Sequence, residues 1–363
     1  MNTNDGRLLT LTTFGESHGP ALGGILDGFP AGVAIDIDAV AKFAARRRPG
    51  QSTLTTARKE ADSVKFLSGL LDNVTTGAPI GFMIENTNQR SADYSEIQNV
   101  YRPSHADFTY DVRYHGYADI RGGGRSSARE TASRVVAGAL AVQFLEKIGI
   151  SVTAFTRSIG KIKSGLDWTE MDFSLIESNS VRCPDPAVAG KMEDLILSVK
   201  SEGDTIGGVV ECVVNGLPPG LGSPVFDKLS SRLASAMISI NAAKAFEIGT
   251  GFGGTEHRGS EMNDTWVHDN LNPKRFRAAA NNSGGIQGGI SNGEPVVFRV
   301  GFKPVATLLK EIPTVDRQGN DIMLKARGRH DPCVVPRAIP IVESMAALVI
   351  MDEYLVARAY GVV

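Results

Sequence analysis

Arg121-Gly122-Gly123-Gly124-Arg125-Ser126-Ser127-Ala128-Arg129-Glu130 is the stretch on which the reading of this chain turns. Three consecutive glycines do not suit a helix or strand interior, so they mark a turn or a close approach of backbone to something else. A helix is expected straight after them. Ser127 and Glu130 stand in the Ser-x-x-Glu spacing of a capping box. Val135, Val136, Ala139, Leu140, Phe144 and Leu145 then recur at helical period. A glycine loop thus feeds a helix N-terminus, where free amides and the dipole favour an anion. Arg121, Arg125 and Arg129 add fixed positive charge. The plainer alternative is a glycine-rich turn before a capped helix, its arginines in water. No Gly-Lys-Ser/Thr comes after the glycines, so the stretch is not a Walker A loop, and the third glycine of a dinucleotide fingerprint is missing.

The 363 residues carry 42% hydrophobic and 21% charged side chains, ordinary for a globular protein with ample chain for a core. A net charge of −2 leaves no global field toward nucleic acid or anionic membrane, so neither is an expected partner. Any anion site must come from local arginine clusters. Glycine is frequent, 40 residues without a collagen period, which implies many tight loops. Cys183, Cys212 and Cys333 are sparse, odd in number and without Cys-x-x-Cys, which argues against a disulfide framework or a zinc site. His-Glu-x-x-His is absent, and no metal is expected. Met1 to Thr10 has no apolar run of signal-peptide length, and nothing approaches the ~18 apolar residues of a membrane span. The expected setting is the cytoplasm.

Strands are expected over Leu8 to Phe14, Ala21 to Leu26, Lys65 to Leu71, Ile80 to Glu85, Ser151 to Thr156, Thr205 to Val214 and Pro295 to Phe302. Helices are expected after Asp36 or Asp38, with Val40, Phe43 and Ala44 inward, and near Ala187 to Lys200, Val225 to Ile238 and Ile341 to Ala359. The first of these ends in Arg46-Arg47-Arg48-Pro49-Gly50, where cations suit the dipole and Pro-Gly stops the helix. Strand, Gly-x-Pro-x-Gly and helix succeed one another twice, at Gly28 and at Gly216, which hints at an internal duplication or at shared turn chemistry. Asn86 to Gly124 is a long polar stretch, a length usually reserved for function. Glu256 to Ala280 reads as a surface excursion. No linker divides the chain.

Among the six histidines, His18, His105 and His330 lie in Gly- or Pro-bounded turns rich in polar side chains. Histidine is the side chain best suited to move protons near neutral pH. His115, His257 and His268 read as surface residues. Gly15-Glu16-Ser17-His18-Gly19 looks like a nucleophile elbow, but no helix comes directly after it, as that motif requires. Several Arg-rich and Gly-rich loops together suit a polyanionic small molecule plus a flat ligand at the glycine backbones.

These blocks resemble the chorismate synthase family. The resemblance rests on Gly15-Glu16-Ser17-His18-Gly19-Pro20-Ala21-Leu22-Gly23, Arg46-Arg47-Arg48-Pro49-Gly50 and Arg102-Pro103-Ser104-His105-Ala106-Asp107. It continues through Gly124-Arg125-Ser126-Ser127-Ala128-Arg129-Glu130-Thr131, Ser239-Ile240-Asn241-Ala242, Gly284-Gly285-Ile286-Gln287-Gly288-Gly289 and Gly328-Arg329-His330-Asp331-Pro332-Cys333, in family order along essentially the whole chain. It implies an α+β fold, a β-α-β sandwich in one domain spanning residues 1–363, assembled as a homotetramer. It implies a 1,4-anti elimination of phosphate from 5-enolpyruvylshikimate 3-phosphate to give chorismate, with reduced FMN required and no net redox change. It further implies His18 as proton donor to the leaving phosphate, His105 as the charge partner of the flavin, and Asp331 as the carboxylate assisting removal of the C6 proton. Arg47, Arg48, Arg129 and Arg329 would hold the substrate. Arg125, Ser126, Ser127, Asn241, Ala242, Gly288, Lys303, Pro304, Val305, Ala306, Thr307 and Arg329 would contact FMN. Nothing resembles an attached flavin reductase, so reduced flavin is expected from a separate source. The chain departs from the common family pattern at a few positions, and its Glu256 to Ala280 excursion is longer than usual for the family, as an interface lining or a surface loop would be. Thr53 and Leu54 stand where an arginine is frequent, which bears on one anion contact and on any pyridine-nucleotide (NADP) contact; Asn282 replaces a histidine and Ala306 a serine.

Overall fold

The computed structural model describes residues 4–52, 54, 62–86, 99–119, 121–272, 275–325 and 331–363. Its helices are α1 (Ile37–Ala45), α2 (Asp107–Arg113), α3 (Thr131–Lys147), α4 (Pro186–Ser201), α5 (Leu229–Ile238), α6 (Gly259–Met262) and α7 (Val335–Ala359). Two five-stranded antiparallel sheets flank them. The first runs in the order Asn4–Asp5, Thr10–Gly15, Ala21–Asp27, Ile80–Glu85, Val64–Phe66. The second runs Ala243–Ile248, Val296–Phe302, Gly208–Asn215, Ser151–Ile159, Ile162–Lys163.

α3 packs on the first sheet, α7 packs on the second, and the two helices pack on each other. The layers are therefore sheet, helix, helix, sheet, and the α+β sandwich expected from the sequence is what the chain forms. α3 is buried on nearly every side, including Ala132, Ala137 and Ala141 between its large apolar residues. A helix with no polar face is a core helix, so the expected single stripe understates it. Gly138 is where α3 meets α7 most closely: a Cβ there would lie 2.2 Å from Ser344 Cβ.

α7 begins before the start that its apolar pattern suggests, at Val335 rather than Ile341. Pro340 lies inside it and has no N–H to give the carbonyl of Pro336. The Arg182 guanidinium donates to that carbonyl instead. α7 also carries three buried acids, Glu343, Asp352 and Glu353. Asp352 accepts the backbone N–H groups of Arg7, Leu8 and Leu9 and pairs with Arg232.

The two Gly-x-Pro-x-Gly turns do matching work. Each comes after a sheet strand, Ala21–Asp27 or Gly208–Asn215, and leads to a helix, α1 beside α3 or α5 beside α7. Gly28 and Gly216 take φ 80° and 77°. A Cβ on either would collide with a backbone carbonyl oxygen, that of Leu8 at 1.8 Å or of Gly149 at 2.1 Å. Shared turn chemistry thus sits inside a shared plan of sheet, long helix and flanking helix.

The Glu256 to Ala280 excursion is not plain loop. It holds α6 and the hairpin Trp266–His268/Phe276–Ala278. Asp264 ties it to the glycine-dense segment by accepting N–H from Asn282 at 2.7 Å and Ser283 at 2.8 Å. The three cysteines are buried and unbridged. Among the described residues no helix is long and apolar enough to cross a membrane.

Candidate active site

The triple-glycine stretch runs beneath the site, with Gly122 on the cavity wall. Gly122, Gly123 and Gly124 take φ 59°, 86° and 51°, a left-handed run closed to other residues. A Cβ on Gly122 would stand 2.0 Å from the His18 ring, so the loop lies flat against that histidine. Ser127 caps the single 3-10 turn Ala128–Glu130, its Oγ accepting from the Arg129 N–H, and that turn leads into α3. The other half of the expected capping box is absent: the Glu130 carboxylate accepts from Arg134 Nε at 3.1 Å instead.

Above this stretch is a cavity of about 570 Å³. Its walls come from stretches far apart in sequence: Ser17, Arg47, the Arg102 to Ala106 turn, Ser126 to Arg129, Asn241 to Lys244, Lys303 to Thr307, and Asp331 to Arg337. Arg47, Arg102, Arg129, Lys244, Lys303 and Arg337 line it, against Asp331 as the one carboxylate on the wall among the described residues. A larger hollow, about 750 Å³, opens on the outer face of the second sheet, but there Arg157 and Arg299 are matched by Asp167, Glu211 and Glu261. Of these two, the first is the one organised for anions.

The cations are locked in place by the chain itself. Arg47 is 2% exposed; its Nε donates to Thr131 Oγ1 at 3.0 Å and its Nη2 to the Ala128 carbonyl at 2.9 Å. Asp62 lies between Arg47, at 3.3 Å, and Arg129. Burial opposes a charge on Asp62, but the two arginines outweigh it and hold the carboxyl below its ordinary range. Arg47 is left in deficit. Burial first, then the neighbouring Arg337 and Arg129, pull it below the ordinary arginine value despite Asp62. Arg129 donates from Nε to Asn86 Oδ1 at 3.1 Å, while its buried Nη2 has no hydrogen-bond partner among the described residues. Such a donor is costly until something accepts from it.

The Arg102 to Asp107 turn forms a second knot. Arg102 grips Asp107 with Nε at 2.7 Å and Nη2 at 2.6 Å, and His105 Nδ1 lies 2.7 Å from the same carboxylate. Burial penalises the Asp107 charge, yet these hydrogen bonds hold its carboxyl far below the ordinary range. Lys303 reaches across from the second sheet to the Ser104 carbonyl at 3.2 Å. Burial and the adjacent Lys244 lower its pKa. Arg337 pairs with Asp331 and donates from Nε to the Arg47 carbonyl at 3.0 Å.

A family model described as chorismate synthase matches residues 9–355. The chain belongs to the chorismate synthase family. A chorismate synthase of Bacteroides thetaiotaomicron is 59% identical over 358 residues, and one of Bacteroides fragilis is 58% identical over 358 residues; each match covers 99% of both chains. A solved chorismate synthase structure superposes with a TM-score of 0.76 at 31% identity, covering 97% of this chain and 93% of its own.

Most residues that the chorismate synthase resemblance points to meet at the cavity. Arg47, His105, Ser126, Ser127, Arg129, Asn241, Ala242, Lys303, Val305, Ala306, Thr307 and Asp331 line it. His18 stands just behind the wall, buried, with Nδ1 3.2 Å from the wall residue Ser17 Oγ. Arg48 lies outside the lining, its buried Nε without a hydrogen-bond partner among the described residues. Arg125 turns away, donating to the Gly15 carbonyl and Thr13 Oγ1, toward a neighbouring hollow of about 380 Å³ that shares Tyr110 and Asn241 with the main cavity. Pro304 is exposed, and Gly288 sits at a hairpin turn between Ile286–Gln287 and Ile290–Ser291, away from the cavity walls. Arg329 and His330, like Thr53, lie outside the described residues. Asn282 belongs to the glycine-dense segment that Asp264 holds and lines the larger hollow, whereas Ala306 is on the cavity wall.

Sequence reasoning passes over Arg102, Asp107, Asp62, Lys244 and Arg337. Arg102 and Asp107 flank His105 in one block, but the resemblance gives a role to the histidine alone. Pro336 at a first helical turn is the available signal for Arg337, because it marks a helix start there. Nothing local marks Asp62.

Proposed function

We propose that this cavity performs the family's reaction, the 1,4-anti elimination of phosphate from 5-enolpyruvylshikimate 3-phosphate that gives chorismate, the last step of the shikimate pathway to the aromatic amino acids. The enzyme is a carbon–oxygen lyase acting on a phosphate ester. The observation that carries the reading is a surplus of cations: six cationic side chains, from Arg47 to Arg337, converge on one cavity, and among the described residues Asp331 on its wall with Asp62 and Asp107 behind it offset only part of that charge. A substrate with one phosphate and two carboxylates supplies what is missing. Cation donors fixed before binding need no reorganisation as charge develops on the leaving phosphate.

Reduced FMN fits the remaining groups. Asn241 donates from Nδ2 to the Ser126 carbonyl, while its buried Oδ1 has no partner among the described residues and so suits a ligand N–H. Ser126, Ser127, Asn241, Ala242, Lys303 and Val305 to Thr307 would hold the cofactor. When bound, reduced flavin supplies electron density beside the breaking C–O bond with no net redox change. His18 delivers the proton to the phosphate, from its place behind Ser17. Lys303 keeps positive charge near the flavin, His105 balances the flavin's charge by taking up a proton on its cavity side, and Asp331, oriented by Arg337, assists loss of the C6 proton. Arg47, Arg48 and Arg129 bind the substrate anions.

The chain is read as one domain over 1–363, because α3 and α7 close one core between both sheets. A homotetramer is the proposed assembly, and the exposed apolar side chains of Phe14 and Ile25 on the outer face of the first sheet offer it a contact surface. The proposed compartment is the cytoplasm, with reduced flavin from a separate source. The test is anaerobic: purified enzyme and 5-enolpyruvylshikimate 3-phosphate, with and without chemically reduced FMN, monitored for chorismate and free phosphate. Product only with reduced flavin is expected. Product without flavin, or none from folded enzyme, overturns the reading.

A further inference from the structure

We propose that Asp107 is a positioning residue for His105: it takes the Nδ1 proton and thereby keeps Nε2 bare and available on the cavity side. His105 lines the cavity, with Cε1 near the glycine stretch, since a Cβ on Gly123 would lie 3.6 Å from it. Its Nδ1 is turned to the Arg102–Asp107 pair, 2.7 Å from Asp107 Oδ1 and 3.0 Å from Arg102 Nη2. Nε2 has no hydrogen-bond partner among the described residues.

An ionised carboxylate offers only lone pairs, so a nitrogen at 2.7 Å from it must carry the hydrogen. The Arg102 Nη2 contact does not contradict this. A guanidinium is also donor-only, so Nη2 and Nδ1 both point at Oδ1, at 2.6 Å and 2.7 Å. Oδ2 is taken by two further Arg102 donors, Nε at 2.7 Å and the backbone N–H at 3.1 Å. The carboxylate thus receives four N–H groups, and the histidine tautomer is set by that arrangement rather than by the ligand. Among the described residues, the charged groups placed at this turn are Arg102 and Asp107 from the turn itself and Lys303, whose Nζ reaches the Ser104 carbonyl.

The arrangement dictates what Asp107→Asn does. The amide oxygen takes the Oδ2 place, where it keeps the Arg102 Nε and backbone N–H donors; the third Arg102 donor, Nη2, then meets the amide N–H₂ and turns to His105 Nδ1, 3.0 Å away. The amide N–H₂ then faces His105, which can accept only by moving its own hydrogen to Nε2. The neutral ring should therefore switch tautomer.

The experiment is magic-angle-spinning NMR of [15N]histidine-labelled, ligand-free enzyme near pH ~8, where an ordinary imidazole is neutral, with His105 assigned by its loss in His105→Gln. Wild type should show Nδ1 protonated and Nε2 bare, and Asp107→Asn the reverse. This arm needs no knowledge of the reaction. The kinetic arm rests on the proposed function: kcat for chorismate formation should fall about 10²-fold in Asp107→Asn, with KM for the phosphate substrate changed less than about twofold. A bare Nδ1 in the wild type overturns the proposal even if the variant does not fold. So does a folded Asp107→Asn that keeps the wild-type tautomer, whatever its kcat. Absence of chorismate formation in the wild type would instead count against the proposed function and leave the tautomer result standing.

Discussion

Arg46 and Arg47 are neighbours at the end of α1 and meet opposite surroundings. Arg46 enters a balanced cluster. It pairs with Glu343 and, at 2.6 Å, with Glu177, which also takes Arg182 at 3.0 Å, while Glu343 accepts the Ala154 N–H. Burial disfavours its charge, but the two glutamates outweigh burial and raise its pKa. Arg47 enters a cluster of surplus cations and is lowered. In the first cluster the protein has completed its own charges, so the cluster holds structure. In the second it has stopped short, and the shortfall marks where a ligand belongs.

That contrast can be broken in three ways, by decreasing effect. Arg46→Met strands Glu343 in the core and should cost about 3–5 kcal/mol of stability, read from urea midpoints, with activity retained by whatever stays folded in the cold. A loss below about 1 kcal/mol would mean that the balanced cluster is not structural. Arg47→Met should do the converse. Asp62 keeps Arg129, so stability falls only by about 1–2 kcal/mol, while kcat/KM for the phosphate substrate drops about 10²-fold. Equal losses in both assays for both variants would erase the distinction.

The smallest effect is a difference in pH response. Asp62 has its folded pKa depressed, so its stabilisation is complete above the ordinary carboxyl pKa of about 3.9 and is lost as pH falls through the lower folded value. Glu343 has its folded pKa raised by burial, against the pull of Arg46, so it binds its proton more readily folded than unfolded. Its contribution therefore improves as pH falls from the raised value toward the ordinary one. Unfolding curves across the acid range should lose the first limb in Asp62→Asn and the second in Glu343→Gln. The same change in both variants would mean that the two clusters titrate as one.

The parts of the fold set by local chemistry were legible. Asp36 caps α1, the glycine loop bends where three glycines demand it, and Asp72-Asn73 makes a tight turn with φ 48° and 61°. What escaped depends on distant partners. Pro340 reads as a helix breaker until Arg182 supplies the missing donor. α2 has no buried residue and so no apolar period to read. Small residues in α3 carry no stripe signal, yet they let α7 approach. At the site, residue types were legible but directions were not: Arg125 and Arg129 are four positions apart, and one faces the first sheet while the other faces the cavity. Asp62 and Arg337 join the site only through the tertiary fold.

Asp352 binds the connection between the first two strands to the last helix, accepting N–H groups 343 to 345 residues earlier in the chain. On a ribosome making about 5–20 residues per second, that separation corresponds to roughly 20–70 s. Throughout that time the nascent N-terminal segment lacks the carboxylate that holds it. The first sheet also lacks α7 behind α3. The order of synthesis is therefore the reverse of the order of closure: the enzyme's earliest residues are among the last to find their final partners, and a chaperone able to shield an unfinished sheet has its longest opportunity there.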